Sequence, residues 1–81
     1  MDEEERTAEE LDLTGLKCPL PALMTARALR RLTPGALLLV IVSDPLAPLD
    51  LKFLCEREGH DFVESGKCDA VSRILLRRGA K

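Results

Sequence analysis

Ala36-Leu-Leu-Leu-Val-Ile-Val42 is an unbroken apolar run of strand length, set between Pro34-Gly35 and Ser43-Asp44-Pro45. A run without polar alternation suits a central strand covered on at least one face. The neighbouring elements read outward from it. Before it, Pro19 to Leu32 is rich in Ala, Leu and Arg, which are good helix formers, and Pro34-Gly35 stops that helix. Earlier still, Glu10-Leu-Asp-Leu-Thr14 alternates and ends at Gly15, the pattern of a short strand. After the run, Asp44 as N-cap and Pro45 as the first helical residue open a second helix from about Leu46 to Glu58, which Gly59 terminates. Residues 60–66 and 70–78 make two more strands around a turn at Gly66-Lys-Cys-Asp69. The order β-α-β-α-β-β specifies an α/β (α+β) two-layer sandwich, a four-stranded mixed sheet with two helices on one face. Two crossovers of helical length imply parallel neighbours, and the final hairpin adds an antiparallel pair.

A chain of 81 residues fits one small domain, here residues 11–81, behind an acidic head at 1–10. That head carries six acids against the single base Arg6 and shows no apolar periodicity, as a solvated, frayed terminus would. The rest of the chain holds eight acids and eleven bases, an excess of about +3 that favours an acidic protein partner or RNA. No apolar run approaches the ~20 residues of a membrane span, and an acidic start is unlike a secretory signal, so the expected location is cytoplasmic, with no membrane partner.

Three cysteines, Cys18, Cys55 and Cys68, are an odd number without a Cys-x-x-Cys pair, and so resemble neither a disulfide framework nor a dithiol redox centre. With His60 as the single histidine, a metal site would lack the close-paired ligands such sites favour, and neither metal nor cofactor is expected. Of the three, Cys18 has the most informative surroundings. It falls at the expected N-cap of the first helix, with Pro19 at N1 and Pro21 at N3, where a missing amide costs no internal hydrogen bond. Two rings stiffen the turn and fix the direction of the thiol. The positive end of a helix and the neighbouring Lys17 both lower a thiol pKa, which would supply a thiolate nucleophile without a general base. Cys55 reads as buried and inert, and Cys68 as an exposed turn residue.

Around the first helix, Ala22, Thr25, Ala26, Ala28, Leu29 and Leu32 share a face directed at the sheet, and Arg27, Arg30 and Arg31 lie opposite. Leu20, Leu23 and Met24 fall with the arginines, beside Cys18. Apolar side chains next to a reactive thiol, ringed by Arg27 and Arg31, form a candidate docking patch. On the second helix Ala47, Leu51, Leu54 and Cys55 share the core face, Leu49 and Phe53 point elsewhere, and Asp50 lies between the two groups. Asp44, at the end of the central strand, is fully explained as a cap and is also a candidate contact near Cys18, since strand-end loops of open α/β sheets carry function.

Leu13-x-Gly15-Leu16-x-Cys18-Pro19-x-Pro21, Pro34-Gly35, Asp44-Pro45, Asp50 and Cys55-x-x-x-Gly59-His60 together resemble the TusA/SirA-like sulfur-carrier family over about residues 11–78. The resemblance implies the same β-α-β-α-β-β order and a cysteine, Cys18, that carries sulfur as a persulfide. It further implies a cysteine desulfurase or rhodanese-like donor and a downstream acceptor protein, in tRNA thiolation, molybdenum-cofactor maturation or sulfur oxidation. Many relatives carry Asp-Asp-Pro where this chain has Ser43-Asp44-Pro45, and Arg where Lys17 stands, so partner identity is the part the resemblance leaves open. A small carrier that docks on larger proteins need only be a monomer.

A function of another class is a small regulatory or RNA-binding module. The family's fold resembles the C-terminal domain of translation initiation factor three, and the body is mildly basic. With two Phe and neither Trp nor Tyr, the chain has few side chains on which bases could stack, so direct nucleic-acid binding is not expected.

Overall fold

A computed structural model of the chain describes residues 8–80. Four strands and two helices follow in the expected order: β1 (Glu9–Asp12), α1 (Leu20–Arg31), β2 (Leu37–Val42), α2 (Ala47–Glu58), β3 (Asp61–Cys68) and β4 (Val71–Arg77). They form a two-layer α+β sandwich, one mixed sheet with both helices packed on the same face. β1 takes in Glu9, read from sequence as part of the acidic head, together with Glu10, read both as head and as the start of the strand; they pair with Leu38 and Leu39. The remainder of that head, residues 1–7, lies outside the described residues.

The sheet order is β1-β2-β4-β3. β1 runs parallel beside β2 as expected, but the second crossover does not produce a parallel neighbour: β4 inserts between β2 and β3 and is antiparallel to both. Burial explains the exchange. Ile74, Leu75 and Leu76 of β4 are all buried, whereas Glu64 to Cys68 of β3 are exposed. A strand apolar on both faces gains most at the centre, and a polar one tolerates the edge. A register shift between Phe62 and Glu64 then lets Phe62 pack against the core from that edge strand.

The core lies between the layers. Leu29 of α1 and Leu51 and Leu54 of α2 meet Leu38, Val40, Val42, Ile74 and Leu76 of the sheet, all at most 1% exposed. On α2 the buried residues are Ala47, Leu51, Leu54 and Cys55, the face its periodicity marks out. Gly59 ends this helix in the left-handed conformation (φ 79°) and donates its amide to the Cys55 carbonyl. On the opposite sheet face, Leu39 and Leu75 pair with each other and are also buried.

Candidate functional site

Parallel pairing of β1 and β2 sends the segments that follow them off the same end of the sheet, and the site forms where those segments meet. After β1, Leu13 donates its amide to the Ile41 carbonyl (2.7 Å). The Asp12 carboxylate accepts from the amide and hydroxyl of Thr14 (3.0 and 2.8 Å), which hold its pKa below the usual carboxylate value. Gly15 adopts φ 88°, open to glycine without steric cost, and donates its amide to Ser43 Oγ (2.8 Å). These bonds bring Lys17 and Cys18 against the β2–α2 turn.

Two carboxylates, Asp44 from that turn and Asp50 from α2, close on Cys18. Asp44 Oδ2 accepts the Cys18 amide (2.6 Å) while Asp44 Oδ1 accepts the Leu46 amide (3.0 Å). The Leu46 amide, then the Cys18 amide, and the charge of Lys17 hold the Asp44 pKa down, so its carboxylate is ionised. Asp50, in the first turn of α2, accepts from the thiol itself: Cys18 Sγ donates to Asp50 Oδ2 at 2.8 Å.

Two sequence expectations are corrected here. First, Cys18 stands one residue outside the helix cap. Pro19 is the N-cap, Pro21 is the second helical residue, and the Cys18–Pro19 peptide bond is cis. The Leu20 amide donates to the Lys17 carbonyl (2.8 Å), closing a turn that keeps Cys18 and Pro19 out of the helix. Second, the Cys18 pKa is raised above the ordinary thiol value rather than lowered. The hydrogen bond to Asp50 is the largest cause, followed by desolvation and the negative charges of Asp50 and Asp44. The helix start does not offset them, because its positive end consists of free amide hydrogens. Pro19 and Pro21 carry none and the Leu20 amide already serves Lys17, so of the first-turn amides only that of Ala22 is left against two carboxylates. The charge of Lys17 acts on Asp44.

The other expected residues fall as follows. Lys17, Cys18 and Pro19 are exposed and Pro21 is buried. Leu20, Leu23 and Met24 are 46%, 56% and 39% exposed, on the outer side of α1 beside Cys18. Arg27 joins them, with Arg30, Leu54, Arg57 and Glu58, in lining a groove of about 450 Å³ between the helices. Arg31 is exposed at the far end of α1 and does not line it. Asp44, a candidate contact near Cys18, lies beside it and braces its backbone.

Sequence reasoning left Asp50 without a role and did not place Arg57 or Ser43. A second cavity, about 330 Å³, is lined by Cys18, Pro19, Ala22, Leu23, Asp50, Phe53 and Arg57, and it adjoins the groove through Ala22, Leu23 and Arg57. The available signal was positional: an acid in the first turn after a strand-end loop lies at the end of the sheet where the Cys18 loop also emerges. Leu46, Leu49 and Phe53, each more than half exposed, extend the apolar surface along α2.

The other cysteines are placed differently. Cys55 is buried in the core, and burial, reinforced by the charges of Asp61, Glu56 and Glu58, pushes its thiol up to about 11. Cys68 is exposed at the end of β3. Among the described residues no cluster of three or more His, Cys, Asp and Glu could hold a metal ion, and no helix is long and apolar enough to cross a membrane.

Comparison with known proteins identifies the family and the fold. Residues 9–78 match the family described as sulfurtransferase TusA. Two curated relatives from Neisseria meningitidis, one of serogroup A and one of serogroup B, are each described as a "Putative sulfur carrier protein". Both are 37% identical over 70 residues, covering 86% of this chain and 95% of theirs. The crystal structure of a SirA-like protein from Desulfitobacterium hafniense superposes with a TM-score of 0.71 at 25% identity, covering 86% of this chain and 96% of that one.

Proposed function

The chain belongs to the TusA sulfurtransferase family, and on that premise we propose that it carries sulfur as a persulfide on Cys18, between a donor protein and an acceptor protein. The observation that supports Cys18 is its dual restraint. Its backbone is fixed by Asp44 and its sulfur by Asp50, at the mouth of an open cavity beside exposed apolar side chains. Cys55 is enclosed in the core, and Cys68 lies at a hairpin end.

The chemistry is two exchanges at sulfur. In the first, Cys18 Sγ attacks the outer sulfur of the donor's persulfide, the donor's S–S bond breaks, and the donor thiol is regenerated with the proton that Cys18 gives up. In the second, the acceptor's nucleophile attacks the outer sulfur and Cys18 leaves as the thiol. No net oxidation occurs in either step. A cysteine desulfurase or a rhodanese-like protein is the donor class this chemistry calls for. Acceptors in tRNA thiolation, molybdenum-cofactor maturation or sulfur oxidation fit the same role.

Leu20, Leu23 and Met24, with Arg27 and Arg30 along the groove and Phe53 and Arg57 across it, form the surface on which those partners dock. An apolar centre with a cationic rim favours a partner surface that presents acidic groups around an apolar contact. The protein works as a monomer in the cytoplasm, its partners supplying the second half of each reaction.

The test is incubation with a cysteine desulfurase and cysteine, followed by intact mass measurement. The wild type gains one sulfur atom, which a reductant removes, and Cys18→Ser does not. A wild type that never gains sulfur contradicts the proposal.

A further inference from the structure

A thiol sulfur and a carboxylate oxygen 2.8 Å apart need a proton between them, since two anions at that distance would repel. Cys18 Sγ is the donor of that bond, so the proton sits on the sulfur. Asp44 adds a second negative charge on the backbone side of the same residue, both of its oxygens already engaged by amides. The facing cations are Lys17, whose charge acts on Asp44, and Arg57, which lines the cavity with Cys18 and Asp50. Of the first-turn amides, Pro19 and Pro21 have none and Leu20 serves Lys17, which leaves that of Ala22. The surroundings of Cys18 therefore favour the neutral sulfur.

We propose that Asp50 is a positioning residue that keeps Cys18 as a thiol in the free carrier and makes Sγ a reluctant leaving group in the loaded one. The second half rests on the persulfide chemistry proposed above; the first half does not. In the free protein, a thiol held by Asp50 is slow toward stray electrophiles although it is exposed. In the loaded protein, a small thiol attacking the outer sulfur must break the S–S bond and leave the electron pair on Sγ, beside the Asp50 carboxylate. That thiolate is destabilised until it is protonated, and a poor leaving group slows exchange. The carrier thus keeps its sulfur while it travels between partners.

The experiment uses the full chain with Cys68→Ser, so that alkylation of the exposed thiols reports Cys18 alone. Iodoacetamide rates are measured from pH 6 to pH 10, and modification of Cys18 is quantified by mass spectrometry. Asp50→Asn, which removes the charge and keeps the shape, is expected to shift the apparent pKa downward and to raise the rate at pH 7 at least threefold. Phe53→Ala opens the same cavity without changing charge; it is expected to leave the pKa where it is. The loaded Asp50→Asn carrier is expected to lose its sulfur to dithiothreitol faster than the loaded wild type.

An unshifted or raised pKa in Asp50→Asn overturns the proposal, as does a Phe53→Ala shift equal to that of Asp50→Asn. Should Asp50→Asn fail to fold, the parent protein decides alone: an apparent pKa at or below the free-thiol value of about 8.5 overturns it. A wild type that never loads sulfur contradicts the carrier role and leaves the alkylation result standing.

Discussion

Cys18 and Asp50 are 32 residues apart in the chain, yet Sγ of the first donates to Oδ2 of the second at 2.8 Å. The contact joins the loop after β1 to the first turn of α2, and it exists because β1 and β2 run parallel and release both segments at one end of the sheet. Asp50 holds the sulfur and Asp44 the backbone amide of Cys18, and the cavity in front of the thiol stays open, as the proposed carrier role requires.

Asp44 is the brace of that arrangement, since one carboxylate serves both the Cys18 and the Leu46 amides. Asp44→Ala is expected to lower the Tm and to broaden the NMR signals of the Lys17–Leu20 turn, and Asp44→Asn, which keeps an acceptor oxygen, to recover part of the loss. A Tm and turn signals unchanged in Asp44→Ala would show that the loop is held by something else.

Thr25 on α1 is fully buried, and among the described residues its hydroxyl has no hydrogen-bond partner. An unsatisfied buried hydroxyl costs about 1–3 kcal/mol, and valine fills the same volume without it. Thr25→Val is expected to raise stability by about 1 kcal/mol, seen as a higher urea midpoint with an unchanged m-value. A lower midpoint would mean the hydroxyl has a partner such as an ordered water.

His60 ties the end of the chain to the end of α2: the Gly79 amide donates to His60 Nδ1 (2.9 Å), and a side chain on Gly79 would collide with the Gly59 carbonyl. Accepting at Nδ1 places the imidazole proton on Nε2, 3.8 Å from Glu58 Oε1, with the ring 5% exposed. Burial lowers the His60 pKa below 6.5, Arg78 and Arg30 push the same way, and Glu58 and Asp61 oppose them. The unfolded chain therefore binds the proton first as pH falls, so the neutral-histidine contribution is complete above pH 6.5 and is lost as pH falls through the depressed folded value. Equilibrium unfolding from pH 7.5 to 5 is expected to show stability falling with acid more steeply in the wild type than in His60→Gln. Parallel curves would remove His60 as the cause.

Much of this fold was legible in the sequence, for reasons that can be located. The run at Ala36–Val42 could only be a central strand, and Gly59 and Pro34-Gly35 marked where helices stop. The core face of α2 followed from periodicity alone. The position of β4 between β2 and β3 was not legible from element order, because order does not record which of two late strands is apolar on both faces. Within the site, Cys18 and the apolar side chains beside it could be found because they are neighbours in sequence. Asp50 could not be joined to them, since its contact depends on strand pairing. The direction of the thiol pKa is hidden for the same reason. The local helix start and Lys17 can be read from the sequence, whereas the hydrogen bond to Asp50, the largest cause of the shift, depends on strand pairing, and Asp44 could be named only as a candidate contact.

Leu23 lines the cavity in front of Cys18 and Met24 the adjoining groove, and replacing both by glutamine keeps helix propensity while removing the apolar contact. Stability is expected to change by less than about 0.5 kcal/mol, as for exposed positions. Sulfur loading from a protein donor is expected to fall about tenfold, the loss of one modest contact of about 1.4 kcal/mol. Loading that stays at the wild-type rate would place the docking surface elsewhere.

The most direct measurement is the location of the transferred sulfur. The protein is loaded by a cysteine desulfurase, its free and persulfide thiols are alkylated, and the peptides carrying Cys18, Cys55 and Cys68 are resolved by tandem mass spectrometry. The expected result is a single additional sulfur on the Cys18 peptide, absent from Cys18→Ser and retained when Cys55 or Cys68 is replaced by serine. Sulfur found chiefly on Cys68, or loading that survives Cys18→Ser, would contradict the assignment of Cys18 as the carrier.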